Sequence, residues 1–299
     1  MSVNLVTLRM AFLAVLPIPL LHIGAPQSFA TKPLLRSALS GESYDLVVAS
    51  QNPRTGGQEQ ITLRAHGQSA GMDLRLDILE SSGPATPGSP AKGNFILIKG
   101  GGSKVLLVDP AKKIFYDIDP KKLTTAMGVA LRKLPGVTFE VGDFRFDAEK
   151  VGPGELIEGY PTEHWRTTQK LAVKMEMLGE TMTMVQEGTS DYYFAPSLKL
   201  GVTPDAIQRN GAAAIANVPG FDTPALRKKL AEFQAKLPTA PALRVVTQMK
   251  MSMGGQETPM MTRSELKNLH PANVPQSAFQ IPADYKLTEL PGLNKMDEM

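Results

Sequence analysis

The chain has 299 residues, of which 42% are hydrophobic, so it is long enough to bury a core and too apolar for wholesale disorder. Lysine and arginine exceed aspartate and glutamate by three and are spread along the chain, which argues against nucleic acid as a partner. Cysteine is absent, which excludes disulfides, thiolate catalysis and cysteine-ligated zinc.

The first thirty residues have the pattern of a secretory signal peptide. A single charge, Arg9, precedes the apolar run MAFLAVLPIPLLHIGA, and the small residues Ser28 and Ala30 suit the −3 and −1 positions of a cleavage site. The run is short and interrupted by prolines, unlike a transmembrane helix. The sequence therefore predicts cleavage after Ala30 and a periplasmic or secreted protein with no transmembrane segment.

The mature chain begins with strand patterns. Apolar and polar residues alternate over 44–48, 61–66 and 72–78, which indicates strands with one buried and one solvated face. Between the second and third of these, GQSAG at 67–71 predicts a five-residue hairpin loop. The same five residues match G-x-S-x-G, but a strand pattern follows where a nucleophile elbow requires a helix.

Short strands and a first helix follow a flexible loop at 81–93. Turn residues separate three apolar segments, at 95–98, 104–109 and 114–119. Residues 120–134 place a proline at the first helical position and an apolar stripe along one side, as an amphipathic helix does. Residues 137–147 return to strand, and a parity shift at Gly142 predicts a bulge.

The C-terminal part combines a second helix with a long strand. Residues 222–237 have a capping residue, an early proline and an apolar stripe, residues 203–220 suggest a short helix, and residues 243–253 alternate as a strand. The fold class predicted is α+β, a large antiparallel sheet with two amphipathic helices against its apolar face. Residues 31–290 are assigned to one domain and residues 291–299 to a C-terminal tail.

The segment GELIEGYPTEHWRTTQKLAVKMEM contains the only tryptophan, Trp165, between His164 and Arg166. Successive side chains of a strand point to opposite faces, so Trp165 is predicted to point one way and both basic residues the other. Leu171, Val173, Met175 and Met177 share the parity of Trp165. His164 is therefore interpreted as a surface residue of the charged side and not as a catalytic group or ligand.

Methionine is unusually frequent, with fifteen residues, several of them at every second position. A Gly179–Glu180 turn predicts a hairpin with Met177 opposite Met182 and Met175 opposite Met184. Met249 and Met251 continue the pattern on a later strand. Three interpretations stay open: ordinary core packing, an adaptable apolar surface for a lipid-like ligand, or a Cu(I) or Ag(I) site of thioether ligands.

Five segments together resemble an uncharacterised family of exported bacterial proteins that is similar to the LolA/LolB-like lipoprotein-carrier superfamily. They are KVLLVDPAKKIFYDID, GELIEGYPTEHWRTT, SDYYFAPSL, ALRVVTQM and SAFQIPADYK, and the resemblance spans roughly residues 43–287. It implies a strongly curved antiparallel half-barrel wrapped over amphipathic helices, with an apolar cavity between them. It brings no catalytic residues.

The function predicted is non-enzymatic binding of a hydrophobic small molecule or lipid in that cavity, with no cofactor and no dedicated metal site. The alternatives are soft-metal binding through the methionine hairpins and a module that binds or senses an envelope protein. The residues expected to line the ligand site are Trp165, Leu171, Val173, Met175, Met177, Met182, Met184, Met249 and Met251.

Overall fold

The computed structural model describes residues 38–51, 60–82, 88–118, 137–177, 180–202 and 223–290. The first six strands are β1 Ala38–Gln51, β2 Gln60–Ala70, β3 Asp73–Ser81, β4 Phe95–Lys99, β5 Lys104–Asp109 and β6 Ile114–Asp117. The later elements are β7 Val137–Ile157, β8 Tyr160–Met177, β9 Glu180–Phe194, the helix α1 Pro224–Lys236, β10 Ala242–Met253, β11 Gln256–Pro275 and β12 Lys286–Thr288. Short 3₁₀ turns cover Gly100–Gly102 and Gln276–Phe279.

All twelve strands belong to one sheet, in the order β12-β6-β5-β4-β3-β2-β1-β11-β10-β9-β8-β7. Neighbouring strands are antiparallel except β12, which runs parallel to β6. The two halves of the sheet meet at β1, where Leu46 lies opposite both Ala65 of β2 and Leu266 of β11. The first strand, β1, and the late strand β11 are thus neighbours in the middle of the sheet.

The prediction of an α+β fold with amphipathic helices wrapped by the sheet is wrong. Within the described residues, α1 is the only α-helix, and nearly everything else is strand. The strands are also far longer than the predicted segments: β7, β8 and β11 have 21, 18 and 20 residues. Polar stretches such as 148–157 and 267–275 also pair as strands. They can do so because the hydrogen bonds between strands join backbone N–H and C=O groups and do not depend on the identity of the side chains.

Several local predictions are confirmed and one is not. Strands cover the alternating segments predicted, except that Met72 lies in the turn before β3. The pairing between β7 and β8 shifts between Val141 and Phe144, at the bulge expected near Gly142. The five-residue loop at 67–71 is wrong, because β2 continues to Ala70 and pairs it with Asp73 of β3. A two-residue turn suffices there, since Gly71 adopts a positive φ of 58°.

The helix predicted at 222–237 is confirmed as α1. The Thr223 hydroxyl accepts a hydrogen bond from the Leu226 backbone N–H at 3.1 Å, and a proline opens the first turn. Leu226 and Leu230 are buried against Phe146 of β7, so the helix covers the edge of the sheet. The signal peptide at 1–30, the helices at 120–134 and 203–220 and the tail at 291–299 lie outside the described residues.

The largest buried cluster lies on β1–β5 and is covered by the segment after β9. Leu198 and Val202 of that segment belong to the same buried cluster as Leu74 and Ile78 of β3 and Tyr44 of β1. A second cluster around Phe194 joins the ends of β8, β9 and β10 to the end of α1. None of the described helices has the length and apolarity needed to span a bilayer.

Candidate ligand-binding face

Five rows of directly opposed residues cross β8, β9, β10 and β11 on one side of the sheet. They are Trp165 with Tyr192, Val245 and Ser264; Thr167 with Ser190, Thr247 and Thr262; Gln169 with Gly188, Met249 and Met260; Leu171 with Gln186, Met251 and Thr258; and Val173 with Met184, Met253 and Gln256. Opposed residues of antiparallel strands share a face. We call this side of β7–β11 the methionine face and the opposite side the ionic face.

Eight of the nine residues predicted to line a site have described side chains, and all eight lie on the methionine face. Val173, Met175 and Met184 are buried, whereas Trp165, Leu171, Met182, Met249 and Met251 are half-buried. The ninth, Met177, pairs with Glu180 through its backbone, but its side chain lies outside the described part of the structure. Whether these residues contact a ligand stays a prediction.

The methionine hairpin has a register different from the predicted one. Met175 lies opposite Met182, and Met184 lies opposite Val173, so each pairing is displaced by two residues. The displacement arises because residues 178–179 connect the strands in place of Gly179–Glu180. A shift of two residues preserves the side-chain parity, and the predicted face is therefore correct although the partners are not.

Sequence reasoning missed Met260, which lies opposite Met249. The signal for it was present: Gly254 and Gly255 form the two-residue turn between β10 and β11, with positive φ values of 57° and 79°. Two consecutive residues with positive φ are typical of the tight hairpin turn that fixes a register. Counting back from this Gly-Gly pair would have brought Met253, Met251 and Met249 opposite their β11 partners.

Two glutamines also belong to the methionine face, and both contact Met249. The Nε2 atoms of Gln169 and Gln186 donate to the Met249 Sδ atom, at 3.1 and 3.3 Å. A thioether is a weak acceptor. One methionine sulfur thus orients two amides in the middle of the methionine face.

Trp165 lies where the face meets the buried cluster around Phe194. Its ring packs on that cluster, and its Nε1 atom donates to Glu163 Oε2 at 3.3 Å. Lys150 binds the other oxygen of Glu163 at 2.6 Å. Trp165 therefore combines an apolar ring on the core with a polar edge at the rim, as tryptophans at surface boundaries often do.

The ionic face carries most charged residues of the same strands, although Lys150 and Glu163 lie on the methionine face beside Trp165. Lys250 of β10 binds Glu187 of β9 at 3.0 Å and Glu257 of β11 at 3.1 Å. Deeper in the sheet, Arg244 binds Glu265 at 2.6 Å, and Arg263 binds the same carboxylate at 3.1 Å. The alternation of β8–β11 thus places most of the ions on one side and the side chains of the five rows on the other.

His164 is more sheltered than predicted. Its Nε2 atom lies 2.7 Å from Asp191 Oδ1, its ring stacks on Tyr193 at 4.9 Å, and its side chain is only 17% exposed. Burial alone would raise the pKa of Asp191, but hydrogen bonds from Arg166 and His164 and their charges outweigh it and lower that pKa. His164 and Arg166 share a carboxylate on the ionic face, opposite Trp165, as the parity argument expected.

A serine, a histidine and an aspartate are aligned on β1 and β2. Ser43 Oγ lies 3.1 Å from His66 Nε2, and His66 Nδ1 lies 3.2 Å from Asp45 Oδ1, the order found in serine hydrolases. Asn268 donates to the other oxygen of Asp45 at 2.7 Å. A nucleophile must reach a carbonyl carbon, yet Ser43 is only 4% exposed. We interpret this chain of hydrogen bonds as a link between β2, β1 and β11.

A recess of about 130 Å³ lies on the ionic side of the sheet, between β1, β11 and β10. It is lined by Ala49, Gln51, Val246, Met261 and Arg263. Small-molecule pockets usually have about 300–1,000 Å³, so we do not assign a lipid to it. A cavity was predicted between the sheet and the amphipathic helices, and of these the helix at 120–134 lies outside the described residues.

Glu265 makes the folded protein sensitive to acid. Burial alone would raise its pKa, but hydrogen bonds and charges from Arg244 and Arg263 outweigh it and lower the pKa below the ordinary 4.5. A lowered folded-state pKa stabilises the protein above the unfolded-state value, and this stability is lost as the pH falls through the folded-state value. We expect Glu265→Gln to flatten the decline of unfolding free energy below about pH 5, measured by urea denaturation at several pH values.

The exposed Glu257, with 58% of its side chain accessible, provides the matched control. Glu257→Gln removes the same charge from the same strand, and its pH curve should run parallel to that of the wild type because exposed pairs contribute little. Parallel curves for Glu265→Gln as well would contradict the role given to Glu265.

Comparison of the chain with known proteins finds no matching family model, no similar curated protein and no similar solved structure.

Proposed function

We propose that this protein is a non-enzymatic periplasmic protein that binds a hydrophobic ligand, a lipid or acyl chain, on the methionine face. The observation that carries the proposal is the continuity of apolar side chains across β8–β10, from Leu171 and Val173 through Met184 to Met253, with several of them only half-buried. Contiguous apolar surface that stays partly accessible is typical of binding sites. The signal-peptide pattern of residues 1–30 supports the periplasmic location.

Methionine suits a surface that must accept flexible chains. Its side chain is unbranched, has three rotatable bonds and packs through a polarisable sulfur, so it adapts to the ligand without a fixed pocket. Met182, Met249, Met251, Met253 and Met260 all lie half-buried on this face. Thioethers, amides and hydroxyls offer contacts for binding and no strong acid or base.

The test is titration of the full-length chain with N-phenyl-1-naphthylamine, an uncharged dye that becomes fluorescent in apolar surroundings. We expect saturable fluorescence with the wild type, and at least about tenfold weaker binding by Met251→Asp, because the apolar contact is replaced by a charge that the ligand would desolvate. Circular dichroism and urea unfolding establish that the variant is folded.

Met72→Asp is the matched control, since Met72 is 58% exposed in the turn between β2 and β3, far from β10 in the sheet. It should bind the dye as the wild type does. If the wild type does not increase the fluorescence of the dye, or if Met251→Asp binds the dye with wild-type affinity, the assignment of the ligand to this face is refuted.

A soft-metal site is the second candidate, favoured by three cross-strand pairs: Met175 with Met182, Met184 with Met253, and Met249 with Met260. Opposed side chains have Cβ atoms about 4.5–5.5 Å apart, within the reach of two thioethers that share one Cu(I). Native mass spectrometry distinguishes the candidates. A one-to-one Cu(I) adduct that is lost in Met175→Leu/Met182→Leu favours metal, whereas its absence from the wild type excludes this candidate.

A further inference from the structure

The methionine face changes its polarity along the strands. Toward the hairpin between β8 and β9, the rows of Val173 and Met175 contain thioethers and a branched apolar side chain. Toward the middle of the strands, the row of Thr167 contains hydroxyls on four successive strands, those of Thr167, Ser190, Thr247 and Thr262. The distance between the two ends is roughly 26 Å, at about 3.3 Å per residue over eight residues of β8.

The hydroxyl row and the two glutamines can exchange their partners. Ser190 Oγ lies 2.9 Å from Thr247 Oγ1, and either atom can donate to the other. Gln169 and Gln186 direct their Nε2 atoms at the Met249 sulfur, which is a poor acceptor. A ligand oxygen in its place would form stronger hydrogen bonds at little cost to the protein.

Charge is missing from the same area. On β7–β11 as described, no lysine, arginine, histidine, aspartate or glutamate occupies the methionine face between the rows of Thr167 and Met175. Lys150 lies one row beyond, beside Trp165, where it binds Glu163. Lys170 and Lys250 belong to the ionic face, where they bind Asp143 and Glu187. A carboxylate, phosphate or ammonium group laid on the methionine face would lose water without gaining a counter-ion.

From this arrangement we infer that the ligand is an uncharged amphiphile. Its hydrogen-bonding head, such as a hydroxyl, ester or amide, lies on the half-buried Thr247 and Thr262 and on the glutamine amides, because Thr167 and Ser190 of the same row are themselves buried. Its apolar chain extends over Leu171 and Val173 toward Met175. Fatty-acid anions, phospholipids and cationic surfactants bind more weakly because of their charged head groups, although their apolar chains fit the same surface. The inference rests on the proposed function and specifies the ligand class of that same face.

The test compares three probes with the same chain length and different heads: 1-monolauroylglycerol, laurate and dodecyltrimethylammonium. Each displaces N-phenyl-1-naphthylamine from the full-length protein, below the critical micelle concentration and at an alkaline pH where laurate is ionised. We expect monolauroylglycerol to act at concentrations at least about tenfold lower than either ion, because only the uncharged head avoids uncompensated desolvation.

Thr247→Lys tests the position of the head. It introduces a cation into the hydroxyl row, and we expect laurate to bind about tenfold tighter than to the wild type and dodecyltrimethylammonium to bind more weakly. The adjacent Gln248 is exposed on the ionic face, so Gln248→Lys adds the same charge to the same strand and should leave the wild-type order unchanged. Thr247→Met, long but uncharged, should keep the preference for the uncharged head.

The outcomes separate the two proposals. If the dye binds but laurate displaces it as well as monolauroylglycerol does, or Thr247→Lys and Gln248→Lys behave alike, the inference is overturned and the proposed function stands. If neither the dye nor any probe binds, the proposed function fails and the inference with it. Should Thr247→Lys fail to fold, the order of the three probes on the wild type and on Thr247→Met decides.

Discussion

Phe194→Ala is expected to destabilise the protein by about 3–5 kcal/mol, the range for a large aromatic removed from a closed core. Phe194 is fully buried at the end of β9, where its ring stacks on Tyr192 with centroids 5.4 Å apart. The same cluster includes Leu237 at the end of α1 and Val245 of β10. The side chain therefore joins three elements, and its loss leaves a cavity that none of them can close alone. Urea denaturation followed by circular dichroism measures the change.

Leu156→Ala is the control for Phe194→Ala. Leu156 is 71% exposed near the end of β7, and its truncation should change the unfolding free energy by no more than about 0.5 kcal/mol. Phe194→Leu should fall between the two, because it retains part of the buried volume. If Phe194→Ala unfolds at the wild-type urea concentration, the cluster is not a closed core.

Gly201→Ala is expected to cost about 3 kcal/mol, at the upper end of the usual effect of overpacking. A Cβ atom at Gly201 would overlap the backbone carbonyl oxygen of Gly71, in the turn between β2 and β3. A backbone group cannot rotate away as a flexible side chain can. The segment that buries Leu198 and Val202 would have to lift from the sheet, exposing part of the largest cluster. The midpoint of thermal unfolding measures the effect.

Gly142→Ala provides the comparison for Gly201→Ala. The nearest atoms to a Cβ at Gly142 belong to Ala172, at 3.5 Å or more, which is ordinary van der Waals contact. This variant should be neutral or stabilised by about 0.4–1 kcal/mol, since alanine restricts the unfolded chain. Equal melting temperatures for both variants would show that the segment around Gly201 does not pack on the β2–β3 turn as described.

The positions and faces of the strands could be predicted from the sequence because they depend on local alternation. Trp165, Leu171, Val173 and Met175 share one parity, and a regular strand converts shared parity into a shared face whatever lies beside it. The helix α1 was predicted correctly because its signals, a capping residue, an early proline and an apolar stripe, are also local in the sequence.

Strand partners and the extent of the strands could not be predicted in this way. Alternation does not specify which strand lies alongside, so the pairing of β1 with β11 and the convergence of Asp45, His66 and Asn268 had no signal in the sequence. The register of the methionine hairpin depended on a turn, and choosing the wrong two residues moved every partner by two. The prediction of the fold class was wrong because backbone pairing between strands continues through segments that have no alternation of apolar and polar residues.

The sequence by itself therefore determined which side chains of each strand lie together on one face, because that is set by the two-residue repeat of the chain. Only the tertiary structure decided that Met249 lies beside Gly188 and Met260, and that Gln169 and Gln186 converge on its sulfur. Those neighbours come from separate strands, and their alignment depends on backbone hydrogen bonds that carry no side-chain identity. The rows of the methionine face, and with them its gradient from hydroxyls to thioethers, exist only once the strands are paired.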